Sequence, residues 1–490
     1  MSALQPLDRR KILLVHPLGY SAGSAGNDIS RKANVMPPLG LASISAWLDS
    51  KGFSTTIADY FARPGSDKTV QDYLRTERPA FIGFSCTTSS FLDGARIAAM
   101  AKAELPGVTT IFGGAHVSAL RERVLAEFPA VDMVVVGEGE ETMREIMERG
   151  LDDPASIPGL VWRDTSGTPT FNGRREHLLD LDALPFPAYE KLDGFPHDYT
   201  LPIFNYPRAP NTSCSSSRGC PYACSYCDRS VFGRSYRFNS AQYLYEHLRH
   251  LRDRFGIRHV NFYDDQFTFH KKRVEEFTDM LVAKPLGMTF NCAVRANHID
   301  EDLIRRLKAA GCWMTSLGIE TGDQALLERQ NRKIDLGDLG EKIKLVKRHG
   351  IRVKGLLMMG LPGETEETIA KTKRYVFSLP VDDLNMTKFT PFPGSPIYDE
   401  IKAANGQLGE FDEDWQRMDC MHFLFVAKGM TRERLDELHR DFYKSHFTRP
   451  KVLWDYVTML WRSPQSWMRF LANLRSFWSF AHSSNRYGKA

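Results

Sequence analysis

Arg218-Gly-Cys-Pro-Tyr-Ala-Cys-Ser-Tyr-Cys-Asp228 decides how this chain is read. Cys220, Cys224 and Cys227 form a C-x3-C-x2-C triplet, one thiolate short of the four that close a structural iron-sulfur or zinc site. The spacing implies a metal corner open to a further ligand. A zinc knuckle completed by a distant residue, or three unrelated thiols, are the other readings of the same spacing. Cys214, a little upstream, reads as a buried strand thiol, as do Cys292 and Cys312.

Outward from this loop, strand signals at residues 212–217, 259–263, 289–294, 313–319, 353–359 and 385–389 alternate with helical patterns at 241–255, 271–281, 302–310, 336–349 and 364–378. Six β/α units over residues 206–400 make a partial barrel, with functional groups expected at the strand C-termini. The cysteine loop follows the first strand at that end.

With Tyr226 just before the last cysteine, the loop resembles that of the radical S-adenosylmethionine superfamily. The resemblance implies a [4Fe-4S] cluster on Cys220, Cys224 and Cys227, with S-adenosylmethionine chelating the fourth iron. Cleavage of the sulfonium by one electron then releases a 5'-deoxyadenosyl radical; the cofactor carries this chemistry and the protein positions it. By the same resemblance Asp264 and Asp265, in Tyr263-Asp-Asp-Gln-Phe-Thr268, face the cosubstrate's amino end, with capping of the next helix as the alternative for one of them. Arg295, ending the third strand, suits the methionyl carboxylate or a rim salt bridge. Glu320, in Leu317-Gly-Ile-Glu-Thr-Gly322, falls on the ribose motif. Gly355, Gly360 and Leu361-Pro-Gly-Glu364 align with the adenine region, and Pro391-Phe-Pro-Gly-Ser-Pro396 with the turn after the sixth strand; glycines there equally serve helix entry. Tyr222 and Tyr226 stay open between stacking on adenine, touching substrate and packing.

Residues 10–150 read as an open parallel α/β sheet, Rossmann-like, with strands near 11–16, 55–58, 81–85, 109–112 and 132–136. Ligands bind such sheets at the strand C-termini, where glycine lets a bulky group approach the backbone. Ser85, Thr87, Gly113 and Gly114 are the candidates there. The stretch from Gly113 to Thr142, with its Val-Gly-Glu-Gly-Glu-Glu-Thr ending, resembles the cobalamin-binding domain that precedes many radical S-adenosylmethionine modules. The D-x-H-x-x-G signature that puts a histidine on cobalt is absent, so the resemblance implies cobalamin bound base-off without a protein histidine. A Rossmann-like domain kept only for packing is the alternative. His116, beside the glycine pair, reads as a hydrogen-bonded loop residue.

Residues 151–205, rich in Pro, Asp and Arg, read as an extended linker, and residues 401–490 as a helical region. In that tail Trp467, Phe470, Leu471, Leu474, Phe477, Trp478 and Ala481 share one helical face. Beyond residue 450 only Asp455 is acidic, so the face is expected either to cover the open side of the barrel or to lie in a membrane surface.

At 490 residues the chain exceeds one ordinary core, and 42% hydrophobic with 25% charged residues describes a globular protein. A net charge of +4 gives no argument for nucleic acid. The eight cysteines form no disulfide framework, and with a polar N-terminus and no long apolar run a cytoplasmic protein, at most peripheral to the membrane, is expected. The domain order is similar to that of anaerobic magnesium-protoporphyrin monomethyl ester cyclases and hopanoid methylases. It implies methyl transfer to a small, hydrophobic substrate, with oxidation, cyclisation or rearrangement as the runner-up. An electron donor such as flavodoxin or ferredoxin is implied too. A cluster or corrinoid carrier without turnover is the reading from another class.

Overall fold

The computed structural model describes residues 6–19, 31 and 34–476. Phe477, Trp478 and Ala481 of the expected C-terminal face lie outside the described residues, as does most of the loop after the first strand.

Residues 11–15 and 79–84 read as near-continuous apolar runs because helices cover both faces of the sheet they enter. That sheet holds β1 (Asp8–His16), β2 (Ser54–Asp59), β3 (Pro79–Ser85), β4 (Thr109–Gly113), β5 (Met133–Val135), β6 (Leu160–Arg163) and β7 (Pro169–Phe171). The order is β2-β1-β3-β4-β5-β6-β7, parallel from β1 to β5 and antiparallel at β6 and β7. The first domain therefore runs past residue 150. β6 and β7 lie in the stretch read as linker; at four and three residues they are too short for alternation to show. Their antiparallel pairing satisfies the backbone groups that β5 would otherwise leave open.

Through residues 178–206 the chain crosses to a second sheet. β8 (Asn211–Cys214), β11 (His259–Phe262), β12 (Thr289–Val294), β13 (Cys312–Glu320), β14 (Arg352–Met359) and β15 (Asp383–Lys388) pair in chain order, all parallel, with β8 and β15 as the edges. Between β8 and β11 the cysteine loop is flanked by the short pair β9 (Ser217–Arg218) and β10 (Arg237–Phe238). Crossover helices start at side-chain caps: Ser240 accepts from Tyr243 N, Asp300 from Leu303 N, and Thr365 and Thr368 form a reciprocal box. The partial barrel is thus the one expected, with one additional short helix, Gln324–Arg329, after β13.

Past residue 400 a hairpin, β16 (Gly409–Phe411) with β17 (Phe425–Ala427), precedes three helices. The helix Arg432–Phe447 covers the β15 edge: Met386 N donates to Tyr443 Oη, and Met386 O accepts from His439 Nε2. The helices Pro450–Arg462 and Pro464–Ala472 close the floor of the barrel, at the strand N-termini. There Tyr456 Oη donates to Asp383 Oδ1 and Ser463 Oγ donates to Tyr206 O. The expected tail face divides. Trp467 and Phe470 pack on Phe204, whereas Leu471 and Leu474 are exposed.

Candidate active site

A cleft and the cysteine loop adjoin where the strand C-termini of the two sheets face each other. The cleft is walled by Gly83, Ser85, Gly113 and Gly114 from the first sheet and by Ser217, Tyr243 and Asp265 from the barrel. Gly114 has φ +105, and a Cβ there would lie 2.5 Å from Cys86 O, so only glycine lets this turn hug the neighbouring strand. Gly139 leaves room only for the end of the Ile44 side chain, its Cβ position falling 2.7 Å from Ile44 Cδ1. Ser85, Gly113 and Gly114 are brought together as expected. Thr87 is not part of the cleft wall: its amide bonds Ser90 Oγ at 3.0 Å in the turn that starts the next helix.

No histidine from the first domain reaches the cleft among the described residues. His16 is tied to Asp59 at 2.8 Å, and buried His116 bonds Thr88 Oγ1 at 3.3 Å, burial holding its ring neutral down to about pH 3. The histidine on the wall is His247, from the first barrel helix; it is 1% exposed and neither ring nitrogen has a protein partner. A glycine-edged cleft with an apolar floor and an orphaned polar ring on its wall fits a large, amide-fringed ligand such as a corrinoid.

The cysteine loop begins at Arg218, which ties the modules together: its guanidinium bonds Glu138 Oε1, in the loop after β5, and Glu140 Oε1, at the start of the helix that follows, each at 2.6 Å. Arg237 also reaches Glu138, at 2.8 Å. Below the loop, Asp264 accepts from Ser216 N at 2.6 Å and Ser217 N at 3.1 Å, and Arg273, 2% exposed, donates to Ser216 O at 2.8 Å. Both carboxylate oxygens of Asp264 are therefore engaged in shaping the turn before the cysteines; a buried carboxylate needs these donors. Nor does either aspartate cap the following helix, since His270 fills that position. Asp265 stands on the cleft wall, its carboxyl raised by surrounding protein and then by Asp264.

The far side of the loop is held by residues 330–332. Ser225 N donates to Gln330 O at 3.0 Å, Asn331 Nδ2 to Ala223 O at 2.9 Å, and Arg332 Nη1 approaches Cys224 Sγ at 3.9 Å. The neighbouring Cys227 thiol and then the Arg332 guanidinium draw the Cys224 thiol down, while Cys227 is pushed up beside it. Burial raises Cys220. Among the described residues no three ligating side chains close on one point. A cubane takes its three thiolates at three separate irons, so its ligands stand apart rather than converging like those of a single metal ion. Three free thiols on one glycine-hinged loop, beside a cation, fit such a cluster.

Glu320 is a left-handed residue, φ +64, at the end of β13, and its Oε1 lies 3.3 Å from Arg332 Nη2. Burial raises its carboxyl, against the pull of Arg332. Gly318 makes the pair fit: a Cβ there would sit 2.3 Å from Glu320 Oε1 and 2.5 Å from Arg332 Nη2. Arg295, 2% exposed, stacks 3.7 Å over Tyr222 and donates to Lys333 O at 3.2 Å, leaving Nε and Nη1 without protein partners. Tyr222 is tied to His298 at 2.6 Å, and Tyr226 has a buried, unpartnered hydroxyl. Gly355 is not brought to the site. Its Cβ direction meets Ile319 and Val381 in the apolar core, because the pleat turns it away. Gly394 has φ +90, and its Cβ position lies 2.3 Å from Asp228 Oδ1, so the turn after β15 packs on the end of the cysteine loop.

Arg332, Gln330 and Gly318 escaped the sequence reading. Arg332 gives no local signal, since arginine is common near helix ends. Gly318 did, because glycine inside a strand marks a close approach.

Residues 214–376 match the Radical SAM superfamily and residues 29–147 match the B12 binding domain. The chain therefore carries a B12 binding domain ahead of a radical S-adenosylmethionine domain, in the order expected. It is similar to an uncharacterised methyltransferase of Pyrococcus horikoshii, 29% identical over 455 residues, or 90% of this chain and 94% of that protein. It is also similar to the anaerobic magnesium-protoporphyrin IX monomethyl ester cyclase of Rubrivivax gelatinosus, 27% identical over 462 residues, 91% of this chain and 81% of that one. Among solved structures, the cobalamin-dependent S-adenosylmethionine radical enzyme OxsB with aqua-cobalamin and S-adenosylmethionine bound superposes with a TM-score of 0.69. At 14% identity, over 96% of this chain and 75% of that one, this is a likeness of fold.

Proposed function

We propose that this chain is a cobalamin-dependent radical S-adenosylmethionine enzyme that functionalises an unactivated carbon of a small, hydrophobic substrate, by methyl transfer. The observation that carries the reading is the shared mouth: Ser217 and Arg218 line the cleft and lead directly into Cys220, so a ligand in the cleft abuts whatever the cysteines hold. When bound, the cluster with S-adenosylmethionine supplies a hydrogen-abstracting radical and the corrinoid a methyl group.

The protein's part is positioning. Cys220, Cys224 and Cys227 hold the cluster, while residues 330–332 brace their loop. Glu320, oriented by Arg332, accepts hydrogen bonds from ribose hydroxyls; Arg295, with two unsatisfied donors, receives the methionyl carboxylate; Asp265 takes the ammonium. Tyr226 offers its unpartnered hydroxyl to the same ligand. Ser85, Gly113 and Gly114 would form the corrinoid's backbone edge and His247 would bond its amide rim; with no first-domain histidine on the cleft wall among the described residues, that domain would offer cobalt no imidazole, in keeping with the base-off form the resemblance implies. Water is kept out by the apolar floor. The reductant is a flavodoxin or ferredoxin, and the protein works in the cytoplasm with peripheral membrane contact. Oxidation or cyclisation is the second reading, favoured by the cyclase likeness.

The test is anaerobic production with cobalamin, followed by iron and corrinoid analysis and assay of reductive S-adenosylmethionine cleavage. Four irons, one corrinoid and cleavage that disappears in Cys224→Ala are expected. A variant that keeps cluster and cleavage sinks the radical assignment, and a cluster without corrinoid sinks the cobalamin half. Label from the S-adenosylmethionine methyl group entering the product separates methyl transfer from cyclisation.

A further inference from the structure

The helix Pro450–Arg462 has two faces of opposite use. Inward, Asp455 Oδ2 takes a hydrogen bond from buried Arg352 at 2.5 Å, and Met459 Sδ lies 3.6 Å from the same guanidinium. Outward stand Leu453, Trp454, Val457, Leu460 and Trp461, spaced i, i+1, i+4, i+7 and i+8, with both tryptophans 65% exposed. Met468, Leu471 and Leu474 extend this apolar surface along the next helix. A stripe at helical spacing normally faces the core; here it faces solvent. A contiguous apolar patch of this kind marks an interaction site.

Charge identifies the partner. Between residues 450 and 476 the ionisable side chains are Lys451, Arg462, Arg469, Arg475, Tyr456 and a single carboxylate, Asp455, which is taken up by Arg352 at 2.5 Å and by Arg462 at 3.6 Å, while Arg469 turns inward to Leu201 O and Tyr206 Oη. The exposed surface of this segment therefore combines tryptophan and leucine with the cations Lys451, Arg462 and Arg475 and presents no unpaired carboxylate. That combination is complementary to anionic lipid headgroups over acyl chains. No helix among the described residues is long and apolar enough to cross a membrane, so the contact is interfacial.

We propose that the outer face of residues 450–476 docks the protein on an anionic bilayer surface. This gives a location to the peripheral contact proposed above and uses no residue of the active-site mouth. The two helices lie at the barrel floor, because their partners Arg352 and Asp383 begin β14 and β15, while Glu320 and the cysteine loop follow strand C-termini. Docking by this face turns the mouth away from the bilayer. It tethers the enzyme and does not feed substrate from the lipid.

The experiment is co-sedimentation of the full-length holoenzyme with phosphatidylglycerol-containing and pure phosphatidylcholine vesicles at low and high salt. The double variant Trp454→Ser/Trp461→Ser, and Leu179→Ser as a distant exposed control, are run beside it. Expected is binding to anionic vesicles that falls about tenfold in the double variant and weakens with salt, with the control unchanged. S-adenosylmethionine cleavage stays the same in all three proteins and with vesicles present. Wild-type protein that ignores anionic vesicles, or a double variant that binds as well, overturns the proposal. So does a dimer that the double variant dissociates, which assigns the face to a second copy, or vesicle binding that appears only after truncation at Ser476, which assigns it to the chain's own C-terminus. Loss of cleavage with vesicle binding retained counts against the radical reading alone.

Discussion

Two arginines, each 2% exposed, sit at opposite ends of the barrel and meet different surroundings. At the floor, Arg352 lies 2.5 Å from Asp455 and 5.1 Å over the Trp313 ring. At the mouth, Arg295 has a backbone carbonyl and the Tyr222 ring, and among the described residues no carboxylate within ion-pairing distance. Nε and Nη2 of Arg352 make no hydrogen bonds either, so the contrast lies in charge rather than in the count of bonds. A buried cation left without an anion is costly. The floor gives its arginine an anion, and the mouth leaves Arg295 without one among the described residues.

This contrast has a direct test at the floor. Asp455→Ala strands the Arg352 charge and is expected to cost about 3 kcal/mol of unfolding free energy, read from denaturant midpoints. S-adenosylmethionine affinity should not change. A fall in affinity alongside the stability loss would show that the two ends are coupled.

The mouth contains the reverse case, a buried carboxylate without a cation. Glu364, 3% exposed, accepts from Gly360 N and from Leu361 N at 3.2 Å, and its carboxyl is pushed up to about 7 by burial, with the two amides opposing. Its folded value lies above its unfolded one, so the folded state holds the proton more tightly. The stabilisation is full below the ordinary glutamate value and is lost as pH rises through about 7. From about pH 5 to about pH 8 the protein should lose on the order of 2 kcal/mol more stability than Glu364→Gln. Equal slopes in paired unfolding curves would mean that this carboxyl titrates as though exposed.

What the sequence shows follows the range of each interaction. The cysteine triplet and the barrel strands are written in spacings of a few residues, and the β12 bounds coincide with those read. β6 and β7 are defined by pairing across the sheet rather than by their own composition. Asp264 and Asp265 are adjacent in sequence and differently placed, one bonded to Ser216 and Ser217 and the other on the cleft wall; only those partners distinguish the two. Arg332 owes its place to a turn that returns to the cysteine loop, a contact between residues far apart in sequence. The exposed stripe at 453–461 was hidden for a different reason. Periodicity identifies an apolar face without saying whether protein covers it.

Two glycines of the family's strand motifs give the last comparison, and the one with the smallest expected effect. Gly318 and Gly355 lie on neighbouring strands, but a Cβ at Gly318 would collide with Glu320 and Arg332, whereas one at Gly355 would press on Ile319 Cδ1 at 3.1 Å. Gly318→Ala must displace the Glu320–Arg332 pair, and S-adenosylmethionine binding should weaken about tenfold, or about 1.4 kcal/mol, with the iron content kept. Gly355→Ala should instead lower stability by overpacking and leave affinity unchanged. Titration of both anaerobic proteins decides between them. Weakened binding in Gly355→Ala with normal binding in Gly318→Ala would move the cosubstrate away from Glu320 and toward β14. The carboxylate and its arginine would then be a structural pair like the one at the floor.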